Sequence, residues 1–297
     1  MGESRHNPDQ LLKATQADEE NRNKGHLKIF FGYAAGVGKT YAMLEAAHME
    51  KQQGIDVVAG YVEPHACPKT AALLNGLEVL PTREVLYNGM ILNEFDIDMA
   101  LKRKPQLILV DELAHTNAEG CRHAKRYQDI KELLNAGIDV YTTVNVQHIE
   151  SLCDTVASIT EIVVRERIPD SIFDNADQVE LIDIEPQDLI DRLNTGNVYR
   201  QTQEKQAVEN FFTIENLTAL REISLRRCAD RVNILTENTR IKNHGDYHTG
   251  EHILVCLSSS PSNAKIIRTA AKMASAFKGE FTALFVEPPD FSEMSEE

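Results

Sequence analysis

Residues 27–40 read LKIFFGYAAGVGKT, and this stretch decides the class of fold. The apolar run at 27–31 predicts a buried strand, and the residues from Thr40 to Lys51 have the apolar spacing of a helix. A glycine-rich turn between strand and helix is the setting of a phosphate-binding loop, because backbone N–H groups and the helix N-terminus face the anion. The stretch therefore predicts a nucleotide-phosphate site on an α/β fold.

Single residues of this loop have distinct expected roles. Lys39 is expected to reach the β- and γ-phosphates, and the Thr40 hydroxyl to ligate Mg²⁺. The pattern Gly-x4-Gly-Lys-Ser/Thr wants a glycine where Tyr33 stands, and Gly32 lies one residue too early, which predicts an unusual start of the loop. The alternative is a glycine-rich turn with a surface lysine. The nucleotide-binding residues predicted in this loop are Gly36, Val37, Gly38, Lys39, Thr40 and Tyr41.

An acidic pair follows a second apolar run. Residues 107–112 read LILVDE, which is typical of a Walker B strand. Asp111 is predicted to hold Mg²⁺ together with Thr40. Glu112 is the candidate catalytic residue, because many ATPases place there a base that orients the attacking water. The alternative is an acidic pair that caps the next turn.

Polar residues also follow the predicted strand at 138–143. Groups at the carboxyl end of a parallel strand point toward the ligand crevice, so Thr143 and Asn145 are predicted to sense the γ-phosphate or a water. His148 is interpreted as a hydrogen-bonded residue at a helix start. The basic stretch at 122–127 either contacts phosphate or forms a solvated helix start.

The apolar runs alternate with helical patterns, which predicts a P-loop NTPase-like parallel sheet flanked by helices. Residues 1–24 are predicted to be a mobile tail, 25–232 a nucleotide-binding domain, 233–250 a linker and 251–297 a partial βαβ unit. The predicted strands are 27–32, 56–62, 107–110, 138–143, 161–165 and 179–184, and the predicted helices are 40–53, 93–103, 123–136 and 200–231.

Composition excludes several classes of protein. The net charge of −15 argues against a general nucleic-acid binder. No window approaches the ~18 consecutive apolar residues of a membrane span. The N-terminus lacks the apolar core of a secretory signal, so a cytoplasmic chain is expected. The five cysteines are scattered and are expected to be reduced thiols.

Two His/Cys pairs bear on a zinc site. His65 with Cys67 and Cys121 with His123 could supply four ligands. Structural zinc sites usually space a pair more widely, as in Cys-x2-Cys, so no zinc site is predicted.

Four motifs together resemble one family. They are AGVGKT at 35–40, DELAHTN at 111–117, RHAKRYQDI at 122–130 and TTVNVQHIES at 142–151. Over about residues 25–232 the chain resembles the N-terminal cytoplasmic region of the KdpD family, the osmosensitive potassium-channel sensor histidine kinases of bacteria. The family's own loop also departs from the strict glycine pattern, which accounts for Tyr33.

The resemblance implies an ATP-binding regulatory module of a two-component system. Its implied partner is a sensor kinase core, in cis or in trans, and a homodimer is left open. Longer family members continue into transmembrane helices and a kinase core. No phospho-acceptor box or ATP-lid motif of a histidine kinase is found in this sequence, so enzymatic activity is not assigned beyond a weak ATPase.

Residues 251–286 resemble the first βαβ of a universal stress protein domain. In some relatives the corresponding serines and a Phe-Thr-Ala strand line a cyclic di-AMP pocket. The alternative is an ordinary polar turn between strand and helix. The resemblance implies a second ligand site at Ser258, Ser260, Phe281, Thr282 and Ala283.

Three hypotheses about function follow. The first is an ATP-binding sensory region of a potassium-responsive sensor kinase. The second is a stand-alone P-loop ATPase or kinase, supported by Glu112 and the basic stretch. The third is a cyclic di-AMP receptor that acts through the C-terminal βαβ unit.

Overall fold

A computed structural model describes residues 24–63, 68–87, 89–194, 211–243, 252–257, 263–276 and 280–286. The predicted mobile tail, except Lys24, lies outside the described residues, as do His65 and Cys67. The chain divides into two compact units, with the division between Val232 and Asn233.

The first unit alternates strands and helices, and its last helix runs on past the division. Its strands are β1 Leu27–Gly32, β2 Val57–Tyr61, β3 Glu78–Val79, β4 Arg83–Tyr87, β5 Met90–Glu94, β6 Leu107–Val110, β7 Asp139–Asn145 and β8 Gln178–Leu181. Its helices are α1 Lys39–Gln52, α2 Pro68–Ala72, α3 Ile97–Arg103, α4 Arg126–Asn135, α5 Cys153–Thr160, α6 Asp170–Asp174, α7 Pro186–Asn194 and α8 Ile214–Asn243, with 3₁₀ turns at Val146–His148 and Glu150–Leu152.

Six of these strands form one parallel sheet in the order β3-β2-β6-β7-β1-β8. Both faces are buried: Phe30 packs with Met43 and Leu44 of α1 on one face, and Phe31 packs with Phe173 on the other. Burial on both faces explains why β6 is a continuous apolar run and why β1 is apolar apart from Lys28, without alternation. The predicted α/β fold, a parallel sheet flanked by helices, is confirmed.

The register brings three strand ends together. Gly32, the last residue of β1, pairs with Asn145, the last residue of β7. On the other side of β7, β6 ends at Val110, and the next residue is Asp111. Since parallel strands end at the same edge, the glycine-rich loop after β1 and the polar residues after β6 and β7 share one crevice.

Two regions differ from the prediction. Residues 161–165 do not form a strand: Glu161 ends α5 in the left-handed conformation (φ 58°), and the chain continues as a loop to an isolated bridge between Ile168 and Ile149. This apolar run stays outside the sheet, in which β7 and β8 flank β1, and Val163 within it is 70% exposed. The predicted helix at 93–103 begins only at Ile97, since residues up to Glu94 belong to the β4–β5 hairpin.

Helix α8 is fixed to the first unit by arginines as well as by apolar residues. Arg231 donates to the carbonyl of Phe173, and Arg227 pairs with Asp174 at 2.6 Å. Both of these guanidinium groups are buried. The helix continues to Asn243, through part of the segment for which a linker is predicted.

The second unit contains β9 His252–Leu257, α9 Asn263–Ala276 and β10 Glu280–Phe285. The two strands pair in parallel, as a βαβ unit requires. Within the described part of the chain, no helix combines the length and the apolar character needed to cross a membrane.

Candidate functional site

The loop between β1 and α1 depends on its glycines. Gly36 (φ 88°) and Gly38 (φ 113°) adopt left-handed conformations, and Gly38 caps α1. A Cβ on Gly32 would lie 2.7 Å from Cγ2 of Val37 and 3.2 Å from Cδ of Lys39. The glycine that stands one residue too early for the motif is therefore the one that lets the loop fold back over the strand end.

Tyr33 is a core residue rather than a defect of the loop. Its ring is fully buried, and its hydroxyl donates to the carbonyl of Ile184 at 3.1 Å. Burial, and next the negative charge of Asp183, raises the pKa of Tyr33 to about 12. The tyrosine anchors the start of the loop to the segment after β8.

Lys39 carries a buried ammonium group at the first position of α1. Its Nζ donates to the carbonyl of Ala34 at 3.0 Å, and none of the described carboxylates forms an ion pair with it. Burial lowers the pKa of Lys39 to about 8, against the opposing attraction of Asp111 and Glu112. A buried cation in this state is stabilised by any anion that enters the crevice.

Asp111 is the centre of a hydroxyl network beneath the loop. The Thr40 hydroxyl donates to its Oδ2 at 3.1 Å, and the Thr143 hydroxyl donates to its Oδ1. The backbone N–H of Glu112 also donates to Oδ1 at 3.1 Å. The predicted metal ligands Thr40 and Asp111 thus lie in direct contact, and this oxygen-rich set is the kind that Mg²⁺ prefers.

Glu112 has an unusual backbone. Its φ of 60° places it in the left-handed region, which is rare for a residue with a Cβ. Such conformations cluster at functional sites. The side chain of Glu112 lines the crevice.

These residues surround a cavity of about 640 Å³. This volume lies within the range of small-molecule and cofactor sites. All the residues predicted for the nucleotide line it except Asp111, which is fully buried behind Thr40 and Thr143. Asn145 adds a buried side-chain oxygen that has no hydrogen-bond partner among the described residues. The predicted site residues that line the cavity are Gly36, Val37, Gly38, Lys39, Thr40, Tyr41, Glu112, Thr143 and Asn145.

The basic stretch at 122–127 is bound within the protein and does not line the cavity. Arg126 is fully buried, stacks 4.1 Å from the centre of the Tyr61 ring and pairs with Glu94 at 3.1 Å. Arg122 pairs with Asp98 at 2.7 Å. Of the two interpretations of this stretch, contact with phosphate lacks support.

The cavity also has a charged rim that sequence reasoning missed. His115 lies between Glu94, at 3.1 Å from Nε2, and Glu166, at 3.7 Å from Nδ1. His148 ends a 3₁₀ turn and contacts the carbonyl of Glu166. Both histidines belong to motifs that were recognised, but Glu166 lies just after the strand predicted at 161–165 and carries no motif of its own. The missed residues are Lys69, Thr70, His115, His148, Glu166, Ile182 and Arg192.

The second predicted ligand set is only partly described. Ser258 and Ser260 lie outside the described residues. Phe281, Thr282 and Ala283 lie on β10 and are exposed, and the Thr282 hydroxyl lies 2.8 Å from Nε2 of His252 on β9. A cyclic di-AMP site there stays a prediction.

Comparison with known proteins gives a consistent result. Residues 23–232 match the family model described as KdpD, osmosensitive K⁺ channel His kinase sensor domain. The Sensor protein KdpD of Clostridium acetobutylicum is 57% identical over 286 residues, which cover 95% of this chain and 32% of that protein.

Two further relatives agree. The Sensor protein KdpD of Escherichia coli (strain K12) is 50% identical over 297 residues, or 98% of this chain and 32% of that protein. The Putative sensor protein KdpD of Synechocystis is 46% identical over 279 residues, or 94% of this chain and 75% of that protein. The chain therefore spans about a third of the length of the first two relatives and three quarters of the third. Since the family model covers most of the chain, the protein belongs to the KdpD family of sensor kinases.

Proposed function

We propose that this chain is the Mg-ATP-binding regulatory region of a potassium- and osmolarity-responsive two-component sensor kinase. One observation carries the proposal: Thr40 contacts Asp111 at 3.1 Å at the base of a cavity whose wall is the glycine-rich loop. A hydroxyl at the start of a helix and a carboxylate at a strand end are the two protein ligands that P-loop proteins use for nucleotide-bound Mg²⁺.

The residues present fit a polyphosphate. The left-handed conformations at Gly36 and Gly38 are those in which successive backbone N–H groups form an anion-binding concavity. The ammonium of Lys39 is buried without an ion pair among the described residues, so a phosphate oxygen would supply the missing countercharge. Bound ATP and Mg²⁺ would supply a transferable γ-phosphoryl group.

The regulatory part of the proposal follows from the family. The relatives are named as sensor proteins, and the matching family model describes a K⁺ channel His kinase sensor domain. ATP would favour one arrangement of the loops at 33–38, 111–117 and 145–152, and a kinase core, in cis or in trans, would respond to that arrangement. We assign this region to the cytoplasmic side of the membrane, where ATP is available.

The dependence of binding on Mg²⁺ tests the site. The 297-residue wild type should bind ATP more tightly in Mg²⁺ than in EDTA. The variant Asp111→Asn should fold but should lose most of this difference in affinity. Asp139→Asn is the matched control, because Asp139 accepts a backbone N–H far from the cavity and lies outside its lining. If Asp111→Asn keeps the wild-type ratio of the two affinities, the metal assignment is wrong.

A stand-alone ATPase is the second candidate. The left-handed backbone of Glu112 at the cavity favours it, because strained residues of this kind often serve catalysis. Steady phosphate release that is lost in Glu112→Gln would support this function. Tight binding without turnover would leave the regulatory role as the better account.

A further inference from the structure

His148 contacts the protein through one ring nitrogen and also lines the cavity. Its Nδ1 lies 2.8 Å from the backbone carbonyl oxygen of Glu166. A carbonyl oxygen can only accept, so Nδ1 carries the hydrogen. In a neutral ring Nε2 then holds a lone pair, and the ring lines the cavity.

The surroundings of His148 favour the neutral ring. Burial lowers the pKa of His148, the hydrogen bond and charge of Glu166 oppose this shift, and the positive charge of Lys39 adds to it. At neutral pH, Nε2 is therefore a hydrogen-bond acceptor. The charged or titratable groups that line the same cavity are Lys39, Tyr41, Lys69, Glu112, His115, Glu166 and Arg192.

Nε2 of His148 needs a hydrogen-bond donor, and the phosphates of ATP cannot supply one. The fully ionised polyphosphate of ATP offers only acceptor oxygens, as does the carboxylate of Glu112. Nε2 has no hydrogen-bond partner among the described residues. His148 follows Asn145, the last residue of β7, by three residues, and it lines the same cavity as Lys39 of the glycine-rich loop. A water molecule beside the γ-phosphate fits this position, with one hydrogen for each acceptor.

We propose that Nε2 of His148 takes the proton of the water that attacks the γ-phosphate of bound ATP. The water oxygen forms a bond to the γ-phosphorus, and the bond between that phosphorus and the oxygen bridging to the β-phosphate breaks. The bridging oxygen leaves with ADP, inorganic phosphate forms, and the proton passes from His148 to solvent. The inference rests on the proposed function, since it requires ATP at the loop, and it makes the module a slow ATPase that resets its own bound state.

The variant His148→Asn isolates Nε2. The asparagine amide can still donate to the carbonyl of Glu166, as Nδ1 does, but it places no acceptor where Nε2 stands. Phosphate release should fall about 100-fold, which is within the usual contribution of a general base. ATP affinity and the thermal midpoint should stay near wild-type values. Lys39→Ala gives the background rate of the preparation.

The pH profile separates proton transfer from a structural role. In the wild type, kcat/KM should rise as pH increases through a value below 6.5 and then level off, because this ratio reports the pKa of the free protein and only the neutral ring accepts a proton. In His148→Asn this inflection should be absent. Wild-type turnover by His148→Asn, or an unchanged inflection in it, would overturn the proposal. ATP binding without turnover in the wild type would also overturn it and leave the proposed function intact, whereas absence of binding would overturn both.

Discussion

Lys39 is the residue whose chemistry most restricts which ligand the site can bind. It is buried at the first turn of α1, and its pKa is lowered to about 8 by burial. Below that pH the empty site holds a poorly solvated charge. Phosphate oxygens would stabilise the charged form and raise this pKa, so binding and protonation of Lys39 are linked.

The affinity for Mg-ATP should therefore decrease as the pH rises into the alkaline range. The affinity is highest below the pKa that Lys39 has in the free protein. It falls above that pKa, since Lys39 must then take up a proton when ATP binds. Between pH 7 and pH 9 we expect a loss of about tenfold, as one group with a pKa near 8 requires. Calorimetry at pH 9 in buffers of different ionisation enthalpy should detect proton uptake. Equal affinities at the two pH values, or proton release, would contradict this linkage.

Gly32 gives a second test at this scale. In Gly32→Ala the new methyl group would press on Val37 and Lys39, so the loop must shift. We expect a loss of about 1–3 kcal/mol in the free energy of unfolding, as in other overpacked sites, together with weaker ATP binding. Tyr33→Phe is the control: it removes one hydrogen bond, to Ile184, and should leave ATP affinity unchanged. An alanine variant with wild-type stability and affinity would show that this close approach is unimportant.

Sequence motifs identified Lys39, Thr40 and Asp111 because each has a fixed place relative to a strand end. Their mutual contact follows from the strand order, which the alternation of strands and helices implies only in outline. His148 and Glu166 could not be paired from sequence, since their contact depends on the path of the loop between α5 and α6. The role of Gly32 likewise required the positions of the neighbouring side chains.

At the scale of elements, one buried ion pair connects the β4–β5 hairpin to the cavity edge. Glu94 ends β5 and accepts hydrogen bonds from Arg126, from His115 and from the backbone of Ala118. Burial acts to raise the pKa of Glu94, but these partners outweigh it and lower the pKa. Arg126 also donates to the carbonyl of Asp111 at 3.2 Å. The start of α4 thus holds both the hairpin and the strand end that presents Asp111.

Removal of Arg126 should destabilise the fold because it leaves the buried carboxylate of Glu94 without its arginine partner. We expect Arg126→Met to lower the free energy of unfolding by about 3–5 kcal/mol, measured by urea denaturation. Adding Glu94→Gln should recover part of this loss. Arg226→Met is the control, since Arg226 forms an exposed pair with Glu222 on α8 and should have little effect. Additive effects of the two buried substitutions would mean that the pair is not coupled.

The accuracy of prediction also differed among elements. The central strands at 27–32 and 107–110 were predicted with their observed bounds, because burial on both faces leaves them apolar except for Lys28. The hairpin was missed although Asn-Gly at 88–89 is the usual signal of a tight turn. Its strands are largely exposed and mix charged with apolar residues, so they lack a clear alternation. The strand predicted at 161–165 was wrong because strand propensity cannot show whether a run pairs with the sheet, and Val163 in this run is 70% exposed.

At the scale of the whole molecule, the charge distribution opposes the proposed ligand. The chain has a net charge of −15, which repels a polyanion at long range. The cavity lining contains three cations, Lys39, Lys69 and Arg192, beside the two carboxylates of Glu112 and Glu166. Local cations and Mg²⁺ must therefore supply the attraction, and binding should depend strongly on the lysine of the loop.

The most direct test of the central claim is calorimetric titration of Mg-ATP into the 297-residue chain and into its Lys39→Ala variant. The account predicts saturable binding at one site per chain in the wild type. In the variant, affinity should fall by roughly 100-fold, because a charged hydrogen bond to phosphate is lost at a buried position. Circular dichroism should show that the variant keeps the fold. Wild-type affinity in Lys39→Ala, or no binding by the wild type, would contradict the account.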